Sequence, residues 1–187
     1  MTTLRARGGA TAGDIQDERQ EVVSGQLIWK AVPTFEHGEI QATLCGRLIG
    51  FRGYGRPGGW WLGTEIEVEL APQEVYLPDI SGWRIERVPE RPRGKPVRTA
   101  PDWVCEILSA STASRDLGYK RRNYHQAGVG HYWVVDPERQ LLQVFRWRQD
   151  GYALALSARA GETVGVEPFD AISLDLSDLF GRAPGET

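Results

Sequence analysis

Apolar residues recur about every fourth position in an early part of the chain and alternate with polar residues in the next part. The first spacing, seen at Ile40, Leu44 and Leu48, predicts a helix that begins after Thr34 and buries one stripe of side chains. A short strand around residues 26–32 is expected before it. The following segment, WWLGTEIEVEL, alternates glutamates with Ile, Val and Leu, and this period of two predicts a strand with one polar face.

The second half of the chain reads as strands around one further helix. EVYLPDISGWRIERV predicts a strand interrupted near Pro78, and the nearly apolar DWVCEILS predicts a central strand buried on both faces. A helix from Arg115 to Ala127 follows, with Ser114 as its N-cap and Gly128 as its stop. HYWVVD predicts a fourth strand, LLQVFRW and YALALSA a hairpin, and AISLDLSDLF a short helix or strand. This order predicts an α/β or α+β domain with a mixed sheet.

Length and composition indicate one domain with polar ends. The 187 residues are 41% hydrophobic and 25% charged, as in ordinary globular proteins, and one core suits this length better than two. We expect a flexible lead-in over residues 1–18, a single domain over residues 19–180 and a flexible tail over residues 181–187. Because neither a membrane-spanning run nor a signal-peptide core is found, we expect a cytoplasmic protein without membrane partners.

Basic charge is concentrated in the middle of the chain. The formal net charge of -3 argues against a protein that coats nucleic acid through bulk electrostatics. Between Arg84 and Arg148, however, 13 Lys or Arg residues face 7 Asp or Glu residues. Nineteen of the 22 basic residues are Arg, which suits bidentate phosphate contacts but also follows from a GC-rich genome. With only three lysines in the chain, the position of each lysine is informative.

Several chemistries lack their motifs. The histidines show no HxH or HExxH spacing and the two cysteines have no zinc-like partners, which argues against a zinc site. The sequence contains no GxSxG, no Walker A motif and no GxGxxG after a strand. Acyl transfer, nucleotide hydrolysis and dinucleotide binding therefore have no support.

Two acidic residues stand in apolar surroundings. Glu106 lies inside the strand segment WVCEIL, where an unpaired carboxylate would be costly or would take up a proton. A divalent metal, a basic partner or exposure at the strand end would compensate it. Asp79, in YLPDI, follows a proline, a context that is more often typical of a turn. If both lie on adjacent strands, they form an oxygen-rich pocket of the kind that Mg²⁺ prefers.

Lys120 offers a cation to the same site. In the second predicted helix it shares one face with Asp116, Tyr124 and Ala127, so its side chain points toward the apolar side. One interpretation is an ordinary Asp116–Lys120 surface pair, which contributes about 0.3–0.5 kcal/mol. The other is a cation directed at a scissile phosphate or at the attacking water.

Three stretches of the chain carry a family resemblance: LPDISGW, PDWVCEILSASTASRDLGYKRRNYHQAGVGHYWVVDP and EPFDAISLDL. They resemble the Uma-type putative restriction endonucleases, a branch of the PD-(D/E)XK nuclease superfamily, and the resemblance extends from about Val22 to Leu179. It implies a restriction-endonuclease-like fold, in which helices flank a mixed β-sheet, and a metal-dependent phosphodiesterase site. The implied order of helix, three strands, helix and strand agrees with the order predicted above.

Carried over by position, the resemblance implies that Asp79 and Glu106 bind the metal, with Mg²⁺ or Mn²⁺ as the cofactor. In the wider superfamily a lysine follows that glutamate by two positions, and Leu108 takes its place in this chain. The Uma-type pattern instead has an Asp, three residues and a Lys on the next helix, which Asp116 and Lys120 match. The resemblance therefore implies Lys120 as the third catalytic residue.

Other residues near these positions are further candidates. Glu65 matches an acid that many relatives carry before the second strand and is a candidate metal ligand. Glu67 lies one step along the same polar face, and for Glu67 and Glu69 a solvated strand face is the favoured interpretation. On the first helix, where superfamily members often keep another acid, Glu39 and His37 are both candidates. Six basic residues form either a solvated loop or a surface that binds the nucleic-acid backbone: Arg84, Arg87, Arg91, Arg93, Lys95 and Arg98.

Two functions of different classes follow from these observations. The resemblance implies a metal-dependent endonuclease with nucleic acid, and first of all DNA, as its partner; a homodimer is an open alternative to a monomer. The second function is a catalytically inactive nuclease-fold protein that binds nucleic acid or a protein partner, which the acidic net charge and the relocated Lys120 favour. A purely structural ion network of the acids with Lys120 is a third interpretation, and Tyr124 is interpreted as packing.

Overall fold

A computed structural model describes residues 9–16, 19–55, 58–109 and 113–181, apart from the side chains of residues 113–117. In chain order the elements are β1 (Gln20–Val23), β2 (Gln26–Trp29), α1 (Phe35–Leu48), β3 (Trp60–Thr64), β4 (Val68–Ala71), β5 (Glu74–Tyr76), β6 (Ile80–Arg84), β7 (Trp103–Ile107), α2 (Ala113–Gln126), β8 (His131–Asp136), β9 (Leu141–Arg148), β10 (Gly151–Arg159), β11 (Thr163–Gly165), β12 (Ser173–Asp175) and α3 (Leu176–Leu179). The fold is therefore a mixed α+β fold, as predicted.

A six-stranded sheet with the order β10-β9-β8-β7-β6-β3 forms the centre of the fold. Its strands are antiparallel except for β7 and β8, which run parallel and are joined through α2. All five residues of β7 are buried, as its nearly continuous apolar sequence predicts. A second, four-stranded sheet has the order β2-β1-β5-β4, and β11 pairs with β12.

Alternate residues of the central strands face two different hydrophobic clusters. On one face, Cys105 and Ile107 of β7 pack with Ile40 and Leu44 of α1. On the other face, the neighbouring β7 residue Val104 packs with side chains from α2 and from the four-stranded sheet. A polar side chain on this second face, such as that of Glu106, is therefore enclosed between the central sheet, α2 and the smaller sheet.

The first helix forms where the spacing of apolar residues predicts it. Thr34 caps α1, because its hydroxyl accepts a hydrogen bond from the backbone N–H of His37. Ile40, Leu44 and Leu48 are buried on one stripe. These features confirm the predicted start and the buried face of the helix.

The segment WWLGTEIEVEL is not one strand, and this prediction is wrong. It divides into β3, at the edge of the six-stranded sheet, and β4, at the edge of the smaller sheet. The break lies at Glu65, whose φ of 50° is outside the extended region that a strand requires. The strand predicted around residues 26–32 is also shorter, and β1, which pairs with it as a hairpin, was missed by the sequence reasoning.

The second half of the chain forms the elements that its sequence predicts. α2 begins two residues earlier than expected, Gly128 has the positive φ of 75° that a helix stop favours, and β9 and β10 form the hairpin. The proposed Ser114 cap and the Asp116–Lys120 pair involve side chains outside the described residues. The segment AISLDLSDLF forms both a strand, β12, and a short helix, α3.

The start of the chain is in contact with the smaller sheet where the structure describes it. A flexible lead-in was expected over residues 1–18, but residues 12–14 form a 3-10 helix, and the Ala10 N–H donates a hydrogen bond to the Gly25 carbonyl. Residues 1–8 and 182–187 lie outside the described residues. Among the helices that are described, none has the length and apolar character needed to cross a membrane.

Candidate active site

The central sheet brings Asp79 and Glu106 next to each other. β6 and β7 are antiparallel with Ile80 opposite Cys105, so one more step in this register places Asp79, just before β6, opposite Glu106. Asp79 is 0% exposed and Glu106 is 6% exposed. The two acids that stood in apolar surroundings in the sequence are thus adjacent buried carboxylates at one end of the sheet.

Asp79 is held in its ionised form by several donors. Oδ1 accepts hydrogen bonds from Lys30 Nζ at 2.6 Å and His37 Nε2 at 3.2 Å, and Oδ2 accepts one from the Ile107 backbone N–H at 2.6 Å. Burial by itself would raise the pKa of Asp79, but the hydrogen bond from His37 and the charge of Lys30 outweigh it and lower the pKa to about 2. Asp79 is therefore a carboxylate at neutral pH.

Glu106 has the opposite electrostatic character. Burial raises its pKa to about 7; the charge of Lys120 opposes this shift, and the neighbouring Asp79 carboxylate adds to it. Its Oε1 accepts a hydrogen bond from the Tyr124 hydroxyl at 2.6 Å, and Lys120 Nζ lies 3.3 Å from the same oxygen. The raised pKa shows that these donors do not fully compensate the buried charge.

Lys120 reaches the site from α2, as expected from the sequence. Its ammonium group lies between two carboxylates, 2.9 Å from Glu21 Oε1 and 3.3 Å from Glu106 Oε1. Glu21 Oε1 also accepts a hydrogen bond from the Leu77 backbone N–H at 2.8 Å. Glu21, on β1, therefore ties the helix lysine to the chain that leads into Asp79.

A pocket opens over these groups. About 30 Å³ of it admits the centre of a water molecule, which exceeds the volume of about 10–15 Å³ that a single water needs. The lining residues come from the segment after β2, from α1, from the ends of β6 and β7, and from α2 and β8: Lys30, Ala31, Val32, Pro33, His37, Asp79, Glu106, Ile107, Leu108, Ser109, Lys120 and Tyr132. All three predicted catalytic residues thus share one pocket.

The structure separates the other acidic candidates from the pocket. Of the two candidates on α1, His37 is buried against Asp79, whereas Glu39 is exposed. Glu65 is exposed and does not line the pocket, although its backbone N–H donates to the Asp79 carbonyl at 3.2 Å. The solvated position expected for Glu67 is wrong, because its side chain is buried, and burial raises its pKa. The geometry therefore gives the carboxylate of Glu65 no place beside Asp79 and Glu106.

The predicted backbone-binding loop lies beyond the pocket. β6 begins beside Asp79 and ends at Arg84, where the loop starts. Three of its side chains are paired with acids: Arg84 with Glu86 at 3.7 Å, Arg87 with Asp102 and Arg98 with Glu69. Each predicted contact of these six residues with nucleic acid stays a prediction: Arg84, Arg87, Arg91, Arg93, Lys95 and Arg98.

Sequence reasoning missed three contributions to this site. Lys30 was one of only three lysines, which is a signal, but nothing local connects it with Asp79, 49 positions away. Glu21 is an acid within a buried strand, the same signal that identified Glu106, yet β1 was not predicted. Tyr124 was interpreted as packing, and its hydroxyl instead donates to Glu106.

The donor set fits a magnesium ion that keeps most of its water ligands. Among the described residues, no group of three or more His, Cys, Asp or Glu side chains is arranged to hold a metal ion. Mg²⁺ commonly binds through only one or two carboxylates together with waters and phosphates, and Asp79 and Glu106 supply two. The pocket has room for water, and a bound cation would favour the ionised form of Glu106, whose pKa is raised by burial.

Known proteins share this fold and this sequence pattern. The model of the Uma2 family, described as "Putative restriction endonuclease", matches residues 11–177. Among solved structures, a putative nuclease belonging to DUF820 from Anabaena variabilis ATCC 29413 matches with a TM-score of 0.67. It is 22% identical, and the match covers 91% of this chain and 97% of that one, so the likeness establishes the fold. No curated protein matches the chain.

Proposed function

Because this chain belongs to the Uma2 putative restriction endonuclease family, we propose that it is a divalent-metal-dependent endonuclease that hydrolyses phosphodiester bonds of DNA. The family resemblance read from the sequence is confirmed. The observation that carries the proposed chemistry is the pair of buried carboxylates, Asp79 and Glu106, at the base of one pocket.

Asp79 and Glu106 are the residues that would hold Mg²⁺ or Mn²⁺. A bound ion of this kind lowers the pKa of a coordinated water and screens the charge of a phosphate. Asp79 is suited to a ligand role because its lowered pKa keeps it ionised throughout the neutral range. The backbone N–H of Ile107 and the ring of His37 fix the orientation of its carboxylate.

Lys120 and Tyr124 would keep Glu106 ready to bind. Both donate to its carboxylate, and both favour its ionised form against the effect of burial. Glu21 holds the Lys120 ammonium group in place from the opposite side. In the exposed loop beyond β6, Arg91 and Arg93 enter no ion pair with any described residue, so their charges are available to a nucleic-acid backbone.

One feature favours a second function, a nuclease-fold protein that binds without cutting. Each site carboxylate already has a lysine beside it, Lys30 at Asp79 and Lys120 at Glu106. Pairing of each site carboxylate with a lysine also suits a structural ion network. The two functions differ in metal binding, since only the first requires a divalent ion at these carboxylates.

Cleavage of labelled DNA and RNA, each single- and double-stranded, in Mg²⁺, Mn²⁺ and EDTA tests the proposal. We expect metal-dependent cutting that falls by about 100-fold or more in Asp79→Asn and in Glu106→Gln, because either change removes a metal ligand. Asp150→Asn, in the exposed turn between β9 and β10, is the matched control and should cut like the wild type. Absence of cutting on all four substrates, together with absence of metal binding in calorimetry, would support the binding function instead.

A further inference from the structure

Lys30 is the most accessible charged group that contacts the carboxylate pair. It follows β2 directly, and its Nζ donates to Asp79 Oδ1 at 2.6 Å and to the Leu77 carbonyl at 2.7 Å. Its side chain is 14% exposed, whereas the Asp79 side chain is 0% exposed. Together with residues 31–33 it lines the pocket. Lys30 therefore stands between the buried carboxylate and whatever enters the pocket.

Lys120 does not share this position. Its side chain is 5% exposed, and its ammonium group is enclosed by Glu21 and Glu106, whose side chains are 4% and 9% exposed. Moving Lys120 toward a ligand would leave two buried carboxylates without their cation, which is costly. Of the two lysines in the pocket, Lys30 is the one that can change partners at low cost.

A divalent ion on Asp79 and the ammonium group of Lys30 require the same carboxylate oxygen. Oδ2 is already bonded to the Ile107 backbone N–H, which β7 holds in place, and Oδ1 accepts from both Lys30 and His37. His37 is fixed on α1, while the lysine ammonium ends a flexible chain of four carbons. When an ion binds to Asp79, Lys30 is the donor that must leave.

We propose that metal binding displaces Lys30 from Asp79 and that its freed ammonium group then holds a phosphate oxygen of the substrate. This inference rests on the proposed function. The displaced group keeps a position beside the pocket because Lys30 and the next three residues line it. An ammonium ion offers three rotatable donors and suits a phosphate oxygen as a point charge. Lys30 thus couples metal occupancy to substrate binding.

The first test measures metal affinity without any substrate. Calorimetric titration with Mn²⁺ should show that Lys30→Met binds the ion at least tenfold more tightly than the wild type, because the competing cation is gone. Lys30→Arg keeps the charge and should not bind more tightly. Arg148→Gln is the matched control. Arg148 is exposed and lies two residues after Arg146, which is opposite the first residue of β8. This end of the sheet is the one away from the pocket. Arg148→Gln should bind Mn²⁺ like the wild type.

The second test measures substrate affinity by fluorescence anisotropy with a labelled DNA oligonucleotide, in Ca²⁺ and in EDTA, with a gel to verify that the oligonucleotide stays intact. In Ca²⁺ we expect Lys30→Met to bind at least fivefold more weakly than the wild type. In EDTA the two proteins should bind alike, because Asp79 holds the lysine of the wild type. Equal affinities in Ca²⁺ would overturn the proposal.

A third measurement uses the wild-type chain and does not depend on how the variants fold. With only three lysines in the sequence, the side-chain signals of lysine-labelled protein are few enough to follow by NMR. Addition of Mg²⁺ should move the Lys30 signal far more than the Lys95 signal, and EDTA should reverse the change. A Lys30 signal that does not respond to saturating Mg²⁺ would contradict the displacement.

These outcomes separate the inference from the proposed function. If Lys30→Met leaves the Mn²⁺ affinity unchanged or weaker while the wild type still cuts, the displacement is wrong and the nuclease function stands. If Mn²⁺ does not bind to the wild type and no substrate is cut, both are wrong.

Discussion

Tyr124→Phe tests whether the hydroxyl of Tyr124 stabilises the ionised form of Glu106 or contributes only to packing. Tyr124 is 0% exposed, and its hydroxyl donates to Glu106 Oε1 at 2.6 Å. Phenylalanine occupies the same space without the oxygen, so the change removes one hydrogen bond and creates almost no cavity. Lys120 Nζ, at 3.3 Å, then remains as a donor to that carboxylate oxygen.

The expected size of the effect depends on the charge of Glu106. A hydrogen bond to an ionised group contributes about 1.5–3 kcal/mol, and one between neutral groups about 0.5–1.5 kcal/mol. Because the pKa of Glu106 lies at about 7, its carboxylate is ionised at pH 8 and mostly protonated at pH 5. We expect Tyr124→Phe to lower the free energy of unfolding by about 1.5–3 kcal/mol at pH 8, and by less at pH 5. The loss at pH 8 corresponds to about 3–12 °C in Tm for a chain of this length.

Thermal and urea unfolding of the metal-free protein at both pH values measure this difference. Tyr152→Phe is the matched control, since the Tyr152 hydroxyl donates over a similar 2.7 Å to a neutral acceptor, the Val129 carbonyl. It should lose about 0.5–1.5 kcal/mol at both pH values. Equal losses in the two variants at pH 8, or no change with pH in Tyr124→Phe, would refute the reasoning.

Two further predictions concern the same buried charges. In EDTA, the free energy of unfolding should fall as the pH rises from about 4.3 to about 7, because native Glu106 keeps its proton in this range while the unfolded chain releases it. Urea titrations should show a smaller fall in Glu106→Gln, and an unchanged slope would contradict the assignment. The free energy of unfolding of Glu21→Gln should be about 1.5–3 kcal/mol lower than that of the wild type. This loss is smaller than that from breaking a buried ion pair completely, because Lys120 still pairs with Glu106. A loss below about 0.5 kcal/mol at pH 8, measured in the same way, would show that Glu21 does not hold the lysine.

The elements that short-range patterns define were predictable from the sequence. The apolar stripe of α1 and the cap at Thr34 depend on residues within a few positions of each other, and both predictions are confirmed. The apolar run of β7 likewise signals burial on both faces. The break at Glu65 was not predictable in this way, because a regular alternation of Glu and apolar residues continues across it. It arises where the chain leaves the central sheet and joins a second sheet.

In the candidate site, too, local sequence patterns predicted some residues and not others. Asp79 and Glu106 were predictable because each is an acid in an apolar setting, and the register of β6 and β7 then brings them together. Lys120 was predictable as well, from its helix face and from the family resemblance, but Lys30 and Glu21 were not, since Lys30 lies 49 positions from Asp79 and Glu21 lies 99 positions from Lys120. The first pairing depends on how the chain after β2 packs against the central sheet, and the second on how the smaller sheet packs against α2. No local pattern encodes either arrangement.

The choice of lysine in this pocket supports a site that receives a further cation. Arginine supplies 19 of the 22 basic residues, yet two of the three lysines contact Asp79 and Glu106. A general preference for arginine codons does not explain these exceptions, whereas geometry does, because an ammonium group places its charge at one point beside a buried carboxylate. With Glu21 included, three buried carboxylates face these two lysines. Burial, together with the neighbouring carboxylates, raises the pKa of Glu106, and a divalent ion in the pocket would oppose both effects.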